Sequence, residues 1–286
     1  MIDQTIQNPP KHAPRRSVQL VRITRLLVVG VCLMMTHPAF GDEIQESFRD
    51  SQLNQMAFGV VGDRALMQPS ADGLRIASTA DSRGNTGLQI PQEIYGDFQF
   101  DAEVRLNDFP VPKDGYGTGV AILLEDAVSH GASIQLVIVP SGKRTLVAHD
   151  FVIVAGQHQH RAQTFPMPSA EVSLRLERRG STLHYSVSAD HGVTFNQLHQ
   201  TKFASTPIRV AQIYGQAGGE NNVYDVVLQS VNLTADELVR PGQRPKTVNN
   251  SRLTTVVTIV CLLTLIAVIM VRLVLRNRRP AFDETT

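Results

Sequence analysis

The feature that most narrows what this chain can fold into is the strict alternation along GDFQFDAEVRL. Phe98, Phe100, Ala102, Val104 and Leu106 fall on one face of an extended strand, and Asp97, Gln99, Asp101, Glu103 and Arg105 fall on the other. AEVSLRLERRG repeats the pattern with Val172, Leu174 and Leu176 against Ser173, Arg175 and Glu177, and TLHYSVSA offers Leu183, Tyr185 and Val187. TGVAILL, SIQLVIV, TLVAHDFVIV, IRVAQIYGQ and NNVYDVVLQSVNL read as further strands, some apolar on both faces as central strands are. Helical periodicity is absent between residues 58 and 233, and turn residues recur at short intervals. Many short strands so punctuated predict an all-β fold, a two-sheet antiparallel sandwich or jelly roll.

Two segments break that pattern. Arg15, Arg16, Arg22 and Arg25 precede the short apolar run LLVVGVCLMM, and Ala39 and Gly41 then stand just before Asp42. A basic region, a short apolar core and small residues predict a secretory signal peptide over 1–41, cleaved between Gly41 and Asp42. Residues 253–271 (LTTVVTIVCLLTLIAVIMV) carry no charge, and as a helix they span about 28 Å, close to the thickness of a hydrocarbon core. Leu273 to Leu275 extend the apolar stretch, which predicts one C-terminal transmembrane helix over 253–275. Basic residues flank it on both sides, so the signal peptide sets orientation. The expected organisation is an extracytoplasmic sandwich over 42–237, a Pro- and Gly-containing tether over 238–252, the helix, and a cytoplasmic tail over 276–286. This is the layout of a single-pass, type I protein of the cell membrane.

Charge follows the same division. The chain holds 27 Lys and Arg against 26 Asp and Glu. Both ends are net basic, and residues 42–245 are net acidic. An acidic folded part repels phosphate, which excludes a nucleic-acid partner. The two cysteines, Cys32 and Cys261, lie in the hydrophobic segments. Disulfides, cysteine nucleophiles and cysteine-based zinc sites are therefore excluded from the exported part.

Several residue groups are candidates for chemistry. Ser188, Asp190, Gly192, Thr194 and Phe195 fit S-x-D-x-G-x-T-F, an Asp-box hairpin. In that motif the acid accepts from turn N–H groups, the glycine supplies a positive φ, and the aromatic anchors the returning strand in the core. Its expected role is structural. Asp101 and Glu103 share a strand face as the carboxylates of strand-borne glycosidases do, but an E-x-D-x-E spacing is missing and there is no Trp to cradle a sugar. His149, His158 and His160 could share a metal, although Gln157, Gln159 and Arg161 describe an exposed polar loop. Glu220, Asn221, Asn222 and Asp225 could offer oxygen ligands to Ca²⁺, or form a plain hairpin connection; no other cofactor is expected. Tyr95, Tyr116 and Tyr214, each beside a glycine, are the candidate stacking platforms for a glycan.

Taken in order, Ala71-Asp72-Gly73-Leu74-Arg75-Ile76, Tyr95-Gly96-Asp97-Phe98-Gln99-Phe100, Gly115-Tyr116-Gly117-Thr118-Gly119-Val120 and Leu174-Arg175-Leu176-Glu177-Arg178-Arg179-Gly180 resemble a planctomycete family of secreted proteins known only as a domain of unknown function. The resemblance covers most of 47–235. It implies a concanavalin A-like lectin and glucanase fold, which permits glycan binding and supplies no catalytic residue. The sequence thus points to a membrane-anchored binding module of the cell envelope whose partner is a glycan or an envelope protein. A membrane-tethered glycosidase using Asp101 and Glu103, and a structural envelope protein without a small ligand, stand as alternatives.

Overall fold

The computed structural model describes residues 41–49, 58–82, 84–128 and 130–245. The expected signal peptide and transmembrane helix lie outside the described residues, and among these no helix is long and apolar enough to cross a membrane. Contacts divide the chain into a compact unit ending at Pro241 and a second unit, 242–286, of which only 242–245 are described. Among the described residues the first unit is all-β, with a single 3-10 turn at Arg64–Leu66.

Its early strands are β1 (Asp42–Ser47), β2 (Gly59–Val61), β3 (Met67–Ser70), β4 (Gly73–Ala77), β5 (Thr86–Ile90) and the long β6 (Glu93–Leu106). A central group follows: β7 (Thr118–Asp126), β8 (His130–Ile138), β9 (Arg144–Val154) and β10 (Gln157–Pro166). The last are β11 (Glu171–Arg179), β12 (Thr182–Ser188), β13 (Asn196–Lys202), β14 (Ile208–Gln216) and β15 (Asp225–Val239).

Every pairing is antiparallel, and the strands make two layers. The first runs β10-β9-β8-β7-β14-β5-β2, and the second runs β13-β12-β11-β6-β15, with β1 and β4 sharing the far side of β15. Alternation sorts each strand. Phe98, Phe100 and Val104 from β6 and Leu174 and Leu176 from β11 meet Val120, Ile122 and Leu124 from β7 and Ile134 and Leu136 from β8 in one buried core. Tyr185 crosses that core from β12 and donates its hydroxyl to the His149 carbonyl on β9 at 3.2 Å.

One boundary differs from the sequence expectation. The tether was expected to begin at 238, but β15 continues to Val239, with Leu238 opposite Ile94 and Val239 opposite Glu93. The physical reason is Glu237, which is buried where an apolar residue would mark an inward position, so the hydrophobic pattern breaks while the backbone ladder does not. A register shift between Ala235 and Glu237 accommodates it.

The two layers touch through one backbone bridge, Ile208 to Ile94. Beside this seam the Arg178 guanidinium, 1% exposed, donates to the Gly96 carbonyl on β6 and to the carbonyls of Thr206 (2.6 Å) and Ala204 (3.3 Å) in the connection before β14. Its guanidinium carbon lies 4.9 Å from the centroid of the Phe98 ring. The Thr206 hydroxyl in turn donates to Asp126 at 2.8 Å. That carboxylate also accepts the backbone N–H groups of Val128 and His130. Burial opposes its ionisation, yet these bonds together with His130 hold it below the ordinary carboxylate range. The chain Gly96–Arg178–Thr206–Asp126 therefore ties both layers at the seam. Replacing Arg178 by Met strands three carbonyls and should cost about 3 kcal/mol in urea denaturation, against less than about 0.5 kcal/mol for the exposed Val193→Thr.

Candidate functional site

The outer face of the first layer is where the alternation leaves a surface to be used. Inward positions of β7, β8 and β9 fill the core, so Leu123, Glu125, Ser133, Gln135, Val147, His149 and Phe151 point outward. With Tyr116, Val139, His160, Ala162, Thr164, Tyr214 and Gln216 they line a groove of about 680 Å³. Small residues carve it. Gly119 and Ala121 stand on β7 opposite Gln216 and Tyr214 on one side and Val137 and Gln135 on the other. With no bulk between them, Gln216 on β14 reaches across β7 to donate to Gln135 on β8 at 2.9 Å. Gly131 acts likewise, since the Phe151 ring lies where a β-carbon would be.

A polar relay runs along the floor. Gln216 donates to Gln135, and Gln135 donates to the Ser133 hydroxyl at 2.9 Å. Ser133 lies 3.3 Å from His149 Nδ1, and His149 Nε2 lies 3.0 Å from His160 Nδ1. One tautomer assignment satisfies every link: Ser133 donates to a neutral His149, which donates onward to His160. Burial, then the neighbouring His160, lowers the His149 pKa and favours that neutral form. The two imidazoles stack at 5.2 Å between centroids, with Phe151 within 6 Å of each. His149 lies on β9, within a segment read as a strand, and His160 lies on β10 rather than in the expected polar loop; the side chain of His158 lies outside the described residues.

The groove's end is fixed by two interlocked loops. Tyr116 N–H donates to the Gly218 carbonyl at 3.0 Å, and the Thr118 hydroxyl donates to Ala217 at 2.7 Å. A β-carbon on Gly115 would meet the Gly218 oxygen at 1.9 Å, and one on Gly218 would meet the Gly117 oxygen at 1.9 Å. Only glycines allow this approach. It leaves the Tyr116 ring 62% exposed at the rim, while Tyr214 is buried in the floor and its hydroxyl pKa is raised by that burial. Tyr95 does not join them. It lies on β6 and donates to Glu93 at 2.8 Å, because adjacency to a glycine in sequence does not place a residue on this face.

The other sequence candidates fall elsewhere. Asn222 closes the loop pair, accepting from Lys113 N–H and donating to Asp114. Asp225 is clamped by Arg75 and accepts from Asn107 at 2.8 Å. Glu220 and Asn221 line a different, open depression with Asp81 and Ser82. Of the four residues expected to offer oxygens to Ca²⁺, Asn222 and Asp225 are thus engaged by separate partners, while Glu220 and Asn221 share that depression. Asp101 and Glu103 lie on the outer face of the second layer. Asp101 accepts two bonds of 2.7 Å from Arg175, and Glu103 bonds His191 at 2.5 Å and faces Arg49 at 3.4 Å. Ligand atoms of Glu103, Glu171 and His191 lie within 4.8 Å of one another, but Arg49 already supplies positive charge to both carboxylates.

The Asp-box residues close a tight hairpin. Asp190 accepts from Thr194 N–H (2.9 Å) and Thr194 hydroxyl (2.6 Å), and Ser188 accepts from Gly192 N–H at 2.9 Å. Phe195 is not in the core. Arg175 stacks on its ring at 3.5 Å, and the strand turns outward there. Bonds from Ser188 and Thr194 lower the Asp190 pKa to about 2. Its contribution to stability is therefore present above the ordinary carboxylate value and lost only as pH falls through about 2. An NMR titration of the Asp190 carboxyl carbon should show this. Gly192 has φ +82° with no close neighbour to its β-carbon position, so Gly192→Val should lower stability by about 1–3 kcal/mol through backbone strain alone.

No curated protein matches this sequence. Among solved structures, a mutant of the GH43 protein BlXynB from Bacillus licheniformis is similar at 10% identity and a TM-score of 0.52, over 67% of this chain and 39% of that one. LamAcat from Zobellia galactanivorans is similar at 11% identity and a TM-score of 0.50, over 68% of this chain and 98% of that one. The carbohydrate binding module CBM66 from Bacillus subtilis aligns at 13% identity with a TM-score of 0.41, over 63% and 96%. At such identities the likeness to the first two is one of fold alone, an antiparallel, jelly-roll-like β-sandwich. A family model described as the C domain of a protein of unknown function, DUF1583, matches residues 33–259, and the chain belongs to that family.

Proposed function

We propose that this protein is a membrane-anchored, extracytoplasmic binding module of the cell envelope that takes a glycan in the outer-face groove. The observation that carries the reading is the groove's lining: exposed Tyr116 and half-buried Phe151 beside Ser133, Gln135, His149, Thr164 and Gln216. Sugars present C–H faces to aromatic rings and hydroxyls to amide and hydroxyl side chains, so a groove combining the two suits them. Binding of this kind needs neither metal nor cofactor. The fold shared with a GH43 protein and with LamAcat is compatible with it.

Hydrolysis is the weaker reading. Glycosidases of the common kinds place two carboxyl groups about 5–10 Å apart across the scissile bond. Glu125 is the single carboxylate among the groove's lining residues. Asp101 and Glu103 lie on the other layer, engaged by Arg175, Arg49 and His191. The signal-peptide pattern over 1–41 and the uncharged run over 253–271 support export and anchoring as a single-pass, type I protein.

In calorimetric titration of the purified protein against a glycan panel, Phe151→Ala and Tyr116→Ala should each weaken binding about tenfold, the worth of one stacking platform. Asp101→Asn should leave affinity in place. Release of reducing ends from β-glucan, lost in Asp101→Asn or Glu103→Gln with the fold intact, would instead establish the glycosidase. Absence of binding across the panel would favour a structural envelope protein. For topology, the mature chain should start near Asp42, resist carbonate extraction, and lose only a small tail to protease added from the cytosolic side.

A further inference from the structure

The charge of the groove bears on what kind of glycan it admits, an inference that rests on the glycan-binding reading above. The fourteen lining residues include no Lys and no Arg, and Glu125 is their one carboxylate. The floor is made of neutral groups already bonded to one another, from Gln216 through Gln135 and Ser133 to His149. Gln216, Ser133, Tyr214 and Gln135 are all buried, so a ligand seated on them gives up much of its own hydration. A sugar carboxylate or sulfate brought there loses water, meets no counter-charge and approaches Glu125. Beyond the groove, residues 42–245 are net acidic, which adds long-range repulsion of the same sign. A neutral pyranose also sheds water but carries no charge to desolvate or to be repelled, and it can exchange hydrogen bonds with the amides and hydroxyls.

We propose that the groove selects uncharged glycans and excludes anionic ones, with Glu125 enforcing the exclusion at its edge. Burial of His149 adds to this by opposing protonation of that imidazole, which would place a cation on the floor. Uronic-acid and sulfated chains are therefore rejected, and neutral hexose chains are admitted.

The test compares hexamers of equal length on the full-length protein in detergent: laminarihexaose, cellohexaose and mannohexaose against hexagalacturonate and a hyaluronan hexamer. At least one neutral hexamer should bind, with both anionic hexamers weaker by about tenfold or more at low salt, and the gap should shrink as ionic strength rises. Glu125→Gln should narrow the gap several-fold, with thermal unfolding used to confirm that the variant is folded. An anionic hexamer that binds as tightly as the neutral ones and loses affinity in Phe151→Ala overturns the selectivity while leaving the glycan reading standing. A gap that Glu125→Gln does not change overturns the role of Glu125. If no hexamer binds, neutral or anionic, the glycan reading itself fails and the selectivity falls with it.

Discussion

A guanidinium sealed from solvent with three backbone carbonyls as its acceptors has few arrangements open to it, and Arg178 holds that position where the two layers of the sandwich join. Its partners come from β6 and from the connection into β14, and through Thr206 the same set of bonds reaches Asp126 at the end of β7. Hydrophobic burial alone lets two sheets slide, because it is non-directional. Fixed bonds at the seam remove that freedom. The Thr206–Asp126 bond also ties the connection before β14 to the end of β7, where the ladder that places Gln216 opposite Gly119 begins.

The groove is a consequence of how the first layer divides its residues. One face is spent on the core. On the other, Gly119, Ala121 and Gly131 withhold side chains, so the neighbouring Gln, His and Phe side chains close over the sheet and bond to each other. The zipped loops around Gly115 and Gly218 then set Tyr116 at the rim. On the second layer the outer face is spent differently, on ion pairs such as Asp101–Arg175 that cross between strands. The two faces differ chemically, one aromatic and polar with a single carboxylate in its groove, the other built on ion pairs.

The strands were legible wherever one face was apolar and the other charged, as in β6 and β11. They were less so in β7 and β8, where Gly119, Ala121, Leu123, Gly131 and Val137 among the outward residues gave little contrast with the inward ones, so the groove they form could not be read from periodicity. His160 was hidden by its neighbours: Gln157, Gln159 and Arg161 are the alternate residues of β10, and the groove takes the even ones. Tyr116 and Tyr214 share the groove while Tyr95 does not, a distinction made by strand pairing across long sequence separation. Phe195 was expected inside because the motif's aromatic was read as the core anchor of the returning strand, but Arg175 on β11 stacks over its ring outside the core. The end of β15 was obscured by a single buried acid, Glu237. The signal peptide and the apolar C-terminal segment remain readings of sequence alone, since they lie outside the described residues.

The length and position of β15 bear on mechanics. It lies antiparallel to β6 from Val226 to Val239 and is covered on its other side by β1 and β4, so it is gripped along both edges. Val239 is where the chain leaves the sandwich toward 240–245. A pull along the β15 axis from the Val239 end therefore loads ladder bonds on both sides of the strand. Hydrogen bonds along β15 then resist together in shear instead of parting one after another as in a peeled hairpin.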